Sequence, residues 1–418
     1  MSAAVRAGYK MTEVGVIPKD WEASTIGDNS KWMSGGTPRR TNTEFWRGDI
    51  PWISGSTLKL AEISTSDQFL TKEAVSIGSK MAPVESTLLL VRGSALHNEI
   101  RAGLVIAPVS FNQDVKALIP YETVEPKFLT YYILGQSDAL LKLVSSAGNS
   151  AGVLDTKLVQ GFKFFKPPIV EQRAIAAALS DVDALLAKHG QLIAKKQGLK
   201  QAAMQQLLTG QTRLPGFSGD WEVKRLGEIA EVKTGPFGSA LHESDYVQVG
   251  TPIITVEHLG EFGVTRQNLP LVSDSDCKRL RSYALEFGDI VFSRVGSVDR
   301  NALISEEEVG WLFSGRLLRV RPDKTRVFAP YLSFQFHTEK FKNAVLTLAV
   351  GQTMASLNTK ILKSMFVSLP KIDEQTAIAA VLSDLDAEIV ALEERQTKTR
   401  ALKQGMMQEL LTGRTRLV

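Results

Sequence analysis

Near the end of the chain, apolar residues recur every three to four positions, at Ile378, Leu382, Leu385, Ile389 and Leu392. Steps of four, three, four and three are the seam of a coiled-coil helix. The pattern breaks there and resumes at Leu402, Met406 and Leu410, which reads as a stutter. An earlier stretch carries a similar seam at Ile175, Leu179, Val182, Leu186 and Ile193, then Leu199, Ala203 and Leu207. Ser180 and Ser383 each have an aspartate three residues on, like a capping box, so a short helix is expected to hand over to a longer one there. Gly210 and Gly413 stand where a glycine ends a helix. The roughly 28 residues after each serine span roughly 42 Å as helix. One such helix exposes its seam; two antiparallel ones cover each other, which predicts an intramolecular coiled coil.

Elsewhere the runs are shorter and β-like. Ser86 to Val91, Gly103 to Ile106 and Val115 to Ile119 are brief apolar runs between turns, as are Pro252 to Val256, Asp289 to Phe292 and Leu317 to Val320. Helix-like segments follow at Pro126 to Leu143 and Pro330 to Leu348. After each comes a loop (Ala147 to Gly152, Val350 to Ala355), then Leu154-Asp155-Thr156-Lys157 or Leu357-Asn358-Thr359-Lys360, read as the start of a structural element.

These parallels belong to one duplication. Pro167-Pro168-Ile169-Val170-Glu171-Gln172 matches Pro370-Lys371-Ile372-Asp373-Glu374-Gln375, and Leu207-Leu208-Thr209-Gly210 matches Leu410-Leu411-Thr412-Gly413, at an offset of about 203 residues. Trp21-Glu22 and Trp221-Glu222 open the two halves alike. The expected fold is mixed α/β (α+β): two globular domains separated by two long antiparallel helices, with pseudo-twofold internal symmetry. The boundaries read as a leader at 1–14, domains at 15–166 and 215–369, and helical regions at 167–214 and 370–418.

Composition narrows this picture. The 418 residues suffice for two cores. Hydrophobic content of 44% and charged content of 22% suit a soluble globular protein rather than a disordered one. No apolar run is long enough for a bilayer, and residues 1–20 lack the order of a signal peptide, so a cytoplasmic location is expected. The single cysteine, Cys277, excludes an internal disulfide, and the formal charge of +4 permits a polyanionic partner without requiring one.

Catalytic signatures are missing from the sequence. His97, His189, His242, His258 and His337 are scattered, without metal-ligand spacing. There is no Gly-x-x-x-x-Gly-Lys-Ser/Thr loop and no Gly-x-Ser-x-Gly elbow. Gly235-Pro236-Phe237-Gly238 has no Lys-Ser/Thr after it, and Lys166-Pro167-Pro168-Ile169 lacks the residues of an amino-methyltransferase signature.

The repeated Pro-x-x-x-Glu-Gln-x-Ala-Ile-Ala-Ala block, with helices closing on Leu-Leu-Thr-Gly, closely resembles the specificity subunit of Type I restriction–modification enzymes. Gly35-Gly36-Thr37-Pro38 with Gly48 to Ile53 looks like one type of family target-recognition domain. Gly235 to Leu241 with Gly288 to Ser297 looks like another. Arg92-Gly93-Ser94-Ala95-Leu96-His97 departs from the family by lacking a Gly-Lys type continuation. The resemblance covers nearly the whole chain. It implies that each domain reads half of a split DNA sequence, while the helices set the spacing and carry two modification (methyltransferase) subunits. S-adenosylmethionine would then be bound by the methyltransferase partner, and ATP and Mg by a restriction partner, with no cofactor on this chain.

DNA readers use Arg and Lys on phosphates, and Arg, Asn, Gln, Ser or Thr on base edges. Candidates in the first domain are Arg39, Arg40, Asn42 and Arg47, then Ser56, Thr57 and Lys59, then Arg92, Ser94, His97, Asn98 and Arg101. The second domain offers Ser239, His242, Arg294, Ser297, Arg300, Asn301 and Arg316. Trp46 and Trp52 read as core. Glu171, Gln172, Asp181 and Asp183, repeated as Glu374, Gln375, Asp384 and Asp386, have two readings: helix-start chemistry, or docking surface for two equivalent partners. A roughly 40 Å helix pair suits major grooves about 34–36 Å apart, hence an asymmetric bipartite target with a spacer of a few base pairs. The alternatives are a self-sufficient DNA enzyme, a coiled-coil scaffold without DNA specificity, or the DNA-binding subunit of another methyltransferase-linked defence complex without restriction activity.

Overall fold

The computed structural model of the chain describes residues 6–12, 15–59, 61–147, 151–236, 241–260, 263–349 and 356–417. Two compact units emerge, one of residues 1–190 with 395–418, the other of 191–394.

In the first unit, five strands pair in the order Ser30–Ser34, Val115–Pro120, Thr87–Leu90, Ala102–Val105 and Glu62–Ile63. All neighbours are antiparallel except the last pair. A second sheet holds Phe69–Leu70, Ile50–Ile53, Val109–Phe111 and Met81–Ala82. Thr87–Leu90 is buried at every residue, which is why it reads as an unbroken apolar run rather than an alternating one. Helix Pro126–Gly135 sends Phe128 and Tyr132 into the core, where they meet Phe164 edge-on. A new short helix, Ser137–Leu141, begins after Gln136.

The second unit has the same central order: Ala230–Thr234, Leu317–Pro322, Ile290–Ser293 and Asn301–Leu303. Its second sheet holds Tyr246–Val247, Leu271–Val272, Thr251–Ile254 and Leu312–Phe313. The expected single helix after Pro330 is two, Ala329–Phe336 and Glu339–Leu348, because the Thr338 hydroxyl accepts from Phe341 N and caps a fresh start. Half of the first loop that follows (148–150) and all of the second (350–355) lie outside the described residues.

Each long helix is continuous over 39 residues, Ile169–Leu207 and Ile372–Leu410. The expected hand-over at Ser180 and Ser383 does not occur; both serines are inside a helix, and the starts lie just after Pro168 and Lys371. Both helices end before a left-handed glycine, Gly210 (φ 71°) and Gly413 (φ 72°). In the first unit the helix segments run antiparallel: Lys403 Nζ donates to Asp183 at 2.6 Å, and Gly190 lies beside Gln396. The second unit repeats this with Lys200–Asp386 at 2.5 Å and the ion pair Lys196–Glu388.

The stutter is also corrected. Buried and half-buried residues continue at unbroken four-three spacing, through His189, Ile193, Lys196, Lys200, Ala203 and Leu207 on the first helix. On the second they run through Leu392, Gln396, Thr399, Lys403, Met406 and Leu410. Leu199 and Leu402 are 48% and 60% exposed. Lysine stems lie along the seam while their ammonium groups reach acids on the facing helix, so polar residues hold positions that a hydrophobic pattern assigns to leucine.

Candidate nucleic-acid interface

In the first unit, the loops leaving Ser34, Ile53, Leu90 and Phe111 are tied to one another by backbone bonds. Gly36 N donates to Phe111 O (2.9 Å), Asn112 N to Ile53 O (2.9 Å) and Val91 N to Asp114 O (2.8 Å). Gly35 is required here, since a Cβ would stand 2.1 Å from Phe111 O. In the second unit Gly235 meets Ser314 O at the same 2.1 Å. Loops built this way hang side chains from rigid strand ends, a common placement for recognition residues.

Arg40 stacks over Trp46 (4.3 Å) and Trp52 (5.0 Å), and its guanidinium donates to Gln68. Trp52 is buried, and Trp46 packs against it edge-on. Arg39, Arg40 and Arg47 are exposed; Arg47 pairs with Glu44, and Asn42 accepts from Glu44 N. Ser56 and Lys59 project from the next loop, where the Thr57 hydroxyl accepts from Ser54 N. Arg101 donates to Gly55 O (2.7 Å) and pairs with Glu99, so it braces two loops together. Arg92, Ser94, His97 and Asn98 are exposed on the segment it braces. The sequence reading missed one contact: Thr37 donates to Gln113 (2.6 Å), fastening the Gly-Gly-Thr loop to the strand end.

The second domain gathers Arg294, Ser297, Arg300, Asn301 and Arg316. Ser293 N donates to Arg300 O and Arg294 N to Arg316 O, so a hairpin through Gly296 (φ 76°) holds them together. Arg300, Ser297 and Arg316 are exposed, whereas Asn301 is only 1% exposed. His242 is exposed, with its backbone N–H on Asp245. Ser239 lies outside the described residues.

Six of the eight repeated acids and amides are bonded within their own domain, which speaks against the docking-surface reading at those six. Glu171 is fully buried and accepts from Trp21 Nε1 (2.8 Å) and from Arg416 Nε (2.6 Å) and Nη2 (2.8 Å). Arg416 also holds Asp20. Those carboxylates raise the Arg416 pKa, and the same guanidinium lowers that of Asp20. Glu374 takes a bidentate bond from Arg213 (2.5 and 2.6 Å). Gln172 accepts from Glu125 N and donates to Thr123 O and Pro167 O; Gln375 accepts from Phe328 N and donates to Arg326 O and Pro370 O. Asp183 accepts from Tyr131 and Lys403, and Asp386 forms an ion pair with Lys200. Only Asp181 and Asp384 of the eight remain exposed. The signature is therefore a latch, fixing each helix start to its own domain. Lys157 and Lys360 follow helix caps, Asp155 and Asn358, as a structural start requires. Among the described residues, no cluster could hold a metal, and no helix is long and apolar enough to cross a membrane.

These features define a class: paired strand-built domains whose exposed arginine-bearing loops are carried on duplicated helices. Two solved structures share the fold. The S subunit of a Type-I restriction-modification system from M. genitalium aligns with TM-score 0.61 at 16% identity, over 96% of this chain and 97% of that one. A chain from a structure concerned with complex assembly and conformational transition of the type I R-M system gives 0.59 at 18% identity, over 96% and 99%. The Methanocaldococcus jannaschii Type I restriction enzyme MjaVIII specificity subunit is 22% identical over 96% of this chain and 94% of its own length. The Escherichia coli EcoR124I/EcoR124II specificity subunit is 35% identical over 39% of this chain, and that match spans 41% of its length. Residues 18–195 and 218–402 both match the Type I restriction modification DNA specificity domain, and the chain belongs to that family.

Proposed function

We infer that this chain is the DNA-target-recognition subunit of a Type I restriction–modification system, each domain reading one half of a bipartite sequence. The observation that carries this is the matching placement of different side chains. Both domains build the same central sheet and hold a loop against a strand end through a glycine that tolerates no Cβ. Yet the loops present Arg39, Arg40, Lys59 and Arg92 in one and Arg294, Ser297, Arg300 and Arg316 in the other. Shared scaffolds with different exposed residues suit two unlike half-sites.

In this reading the chain is non-catalytic and cytoplasmic, and the helices set the spacer. Two methyltransferase subunits bring S-adenosylmethionine; a restriction subunit brings ATP and Mg. Those subunits would meet exposed helix residues such as Asp181 and Asp384 rather than the buried glutamates. Methylation mapping in cells holding the cognate methyltransferase, with and without this gene, tests the reading. A split motif that disappears with the gene supports it; unchanged methylation, together with no sequence preference in random-duplex selection by the purified chain, overturns it in favour of a scaffold.

A further inference from the structure

The exposed arginines on the first domain's loops proposed to read DNA are Arg39, Arg40, Arg47 and Arg92. Arg39 and Arg92 have no side-chain partner among the described residues, and Arg47 is paired with Glu44. Arg40 differs from all three, because uncharged groups hold it in place. Trp46 and Trp52 meet with ring centroids 5.0 Å apart and planes at 89°. The Arg40 guanidinium lies in the corner between them, 4.3 Å from one ring centre and 5.0 Å from the other. Its Nη1 donates to Gln68 Oε1 at 3.2 Å. The corner is itself fixed. Trp52 is 1% exposed and donates its indole N–H to Gly36 O (3.2 Å), while Gln68 O accepts from Trp52 N (2.8 Å). The short turn Thr43–Trp46, begun by the Asn42 side chain accepting from Glu44 N, brings Trp46 onto Trp52. Gly48 lets the chain pass Leu70, where a Cβ would stand 2.0 Å from the carbonyl oxygen.

A guanidinium carries five N–H donors in a planar fork. Gln68 takes one, so the other donors and the whole positive charge stay available at an exposed side chain. Stacking on the indoles removes in advance the rotamer freedom that an arginine loses when it binds. A phosphate needs charge more than orientation, and the unheld Arg39 next door already supplies charge. An oriented fork instead matches two acceptors side by side, which in the major groove is the O6 and N7 edge of guanine. We propose that Arg40 reads one guanine of the first domain's half-site through that edge, with Trp46, Trp52 and Gln68 as positioning residues. The proposal rests on the DNA-recognition reading above and names a base within it. The corner belongs to one half-site only. In the second domain the strand position of Trp52, read from the matching pairs Trp52–Ser110 and Ile253–Leu312, is held by Ile253, which offers no ring.

Random-duplex selection with the purified full chain, as wild type and as Arg40→Lys, tests this. Lysine keeps the charge and the stem but lacks the fork. The wild type should select a guanine at one position of one half-site, and Arg40→Lys should lower that preference about tenfold, as the loss of one bidentate base contact does. Every other position should be read as before. On the selected duplex, 7-deazaguanine at that position keeps its base pair but lacks the N7 acceptor. It should weaken wild-type binding about tenfold, as loss of a hydrogen bond to a charged group does, and leave binding by Arg40→Lys nearly unchanged. Circular dichroism confirms that each variant is folded; should Arg40→Lys fail, Arg40→Gln takes its place. An arginine that merely braces the loop would change stability or affinity for all sequences alike and leave the base preference untouched. Such a uniform loss, a motif without guanine, or equal wild-type binding of guanine and 7-deazaguanine overturns the proposal and leaves the DNA-recognition reading standing. No sequence preference in the wild type overturns both.

Discussion

Trp21 and Trp221 occupy matching places in the repeat but differ at one atom. Trp21 donates its indole N–H to Glu171, whereas the buried indole N–H of Trp221 has no partner among the described residues. Trp21→Phe should therefore cost about 1–2 kcal/mol more than Trp221→Phe, because only the first leaves a buried acceptor short of a bond. Urea unfolding of the two variants measures the difference; equal costs would refute it. Glycines separate similarly. Gly210→Ala carries only left-handed strain, about 1–2 kcal/mol, while Gly413→Ala also drives a Cβ to 2.6 Å from Pro18 and should cost more. A third residue gives a pH signature. Burial makes His337 titrate at about 4 in the folded chain, against about 6.5 when unfolded. The unfolded state binds the extra proton, so stability falls as pH drops from about 6.5 towards 4. His337→Gln should flatten that part of the stability curve relative to wild type, and an unchanged slope would count against it. Residues like these set the limit of what the sequence discloses. Repetition marks Glu171 and Glu374 as special, but repetition is equally expected of a docking site and of an internal latch. Only the partners Arg416 and Arg213, far along the chain, decide between them.

For the helices and strands, legibility followed from how uniform the burial is. Wholly buried strands such as Thr87–Leu90 and Ile290–Ser293 stand out as apolar runs. The helices were plain where Ile and Leu fill the seam and misread where Lys200, Gln396, Thr399 and Lys403 do, since their inward stems are invisible to a hydrophobic count. The misreading is testable. Leu199→Ser and Leu402→Ser should change stability by no more than about 0.5 kcal/mol, as exposed positions do. Leu179→Ala and Leu382→Ala, both fully buried, should each cost about 2–5 kcal/mol. Comparable losses at all four positions would restore the stutter. The loops proposed to read DNA are marked in the sequence by glycine and arginine, but nothing local distinguishes the exposed Arg300 from the buried Asn301 beside it.

At the scale of the whole molecule, the duplication makes length adjustable. The two seams advance in step, with each position on the first helix matched on the second at the repeat offset, so seven residues added to both helices preserve every seam partner. Added to one helix only, they shift half of its seam against an unaltered partner and should destabilise the chain. In the paired insertion, seven residues lengthen each helix by about 10.5 Å, near three base pairs of DNA at about 3.4 Å each. If the helices set the spacer, methylation mapping of the paired variant should return both original half-sites with a spacer longer by about three base pairs. The half-sites should not change, because the loops carrying Arg40, Arg92, Arg294 and Arg316 are built by strands that the insertion leaves alone. A changed half-site would mean that the helices take part in reading bases. An unchanged spacer in a folded, active variant would mean that something other than helix length measures the distance.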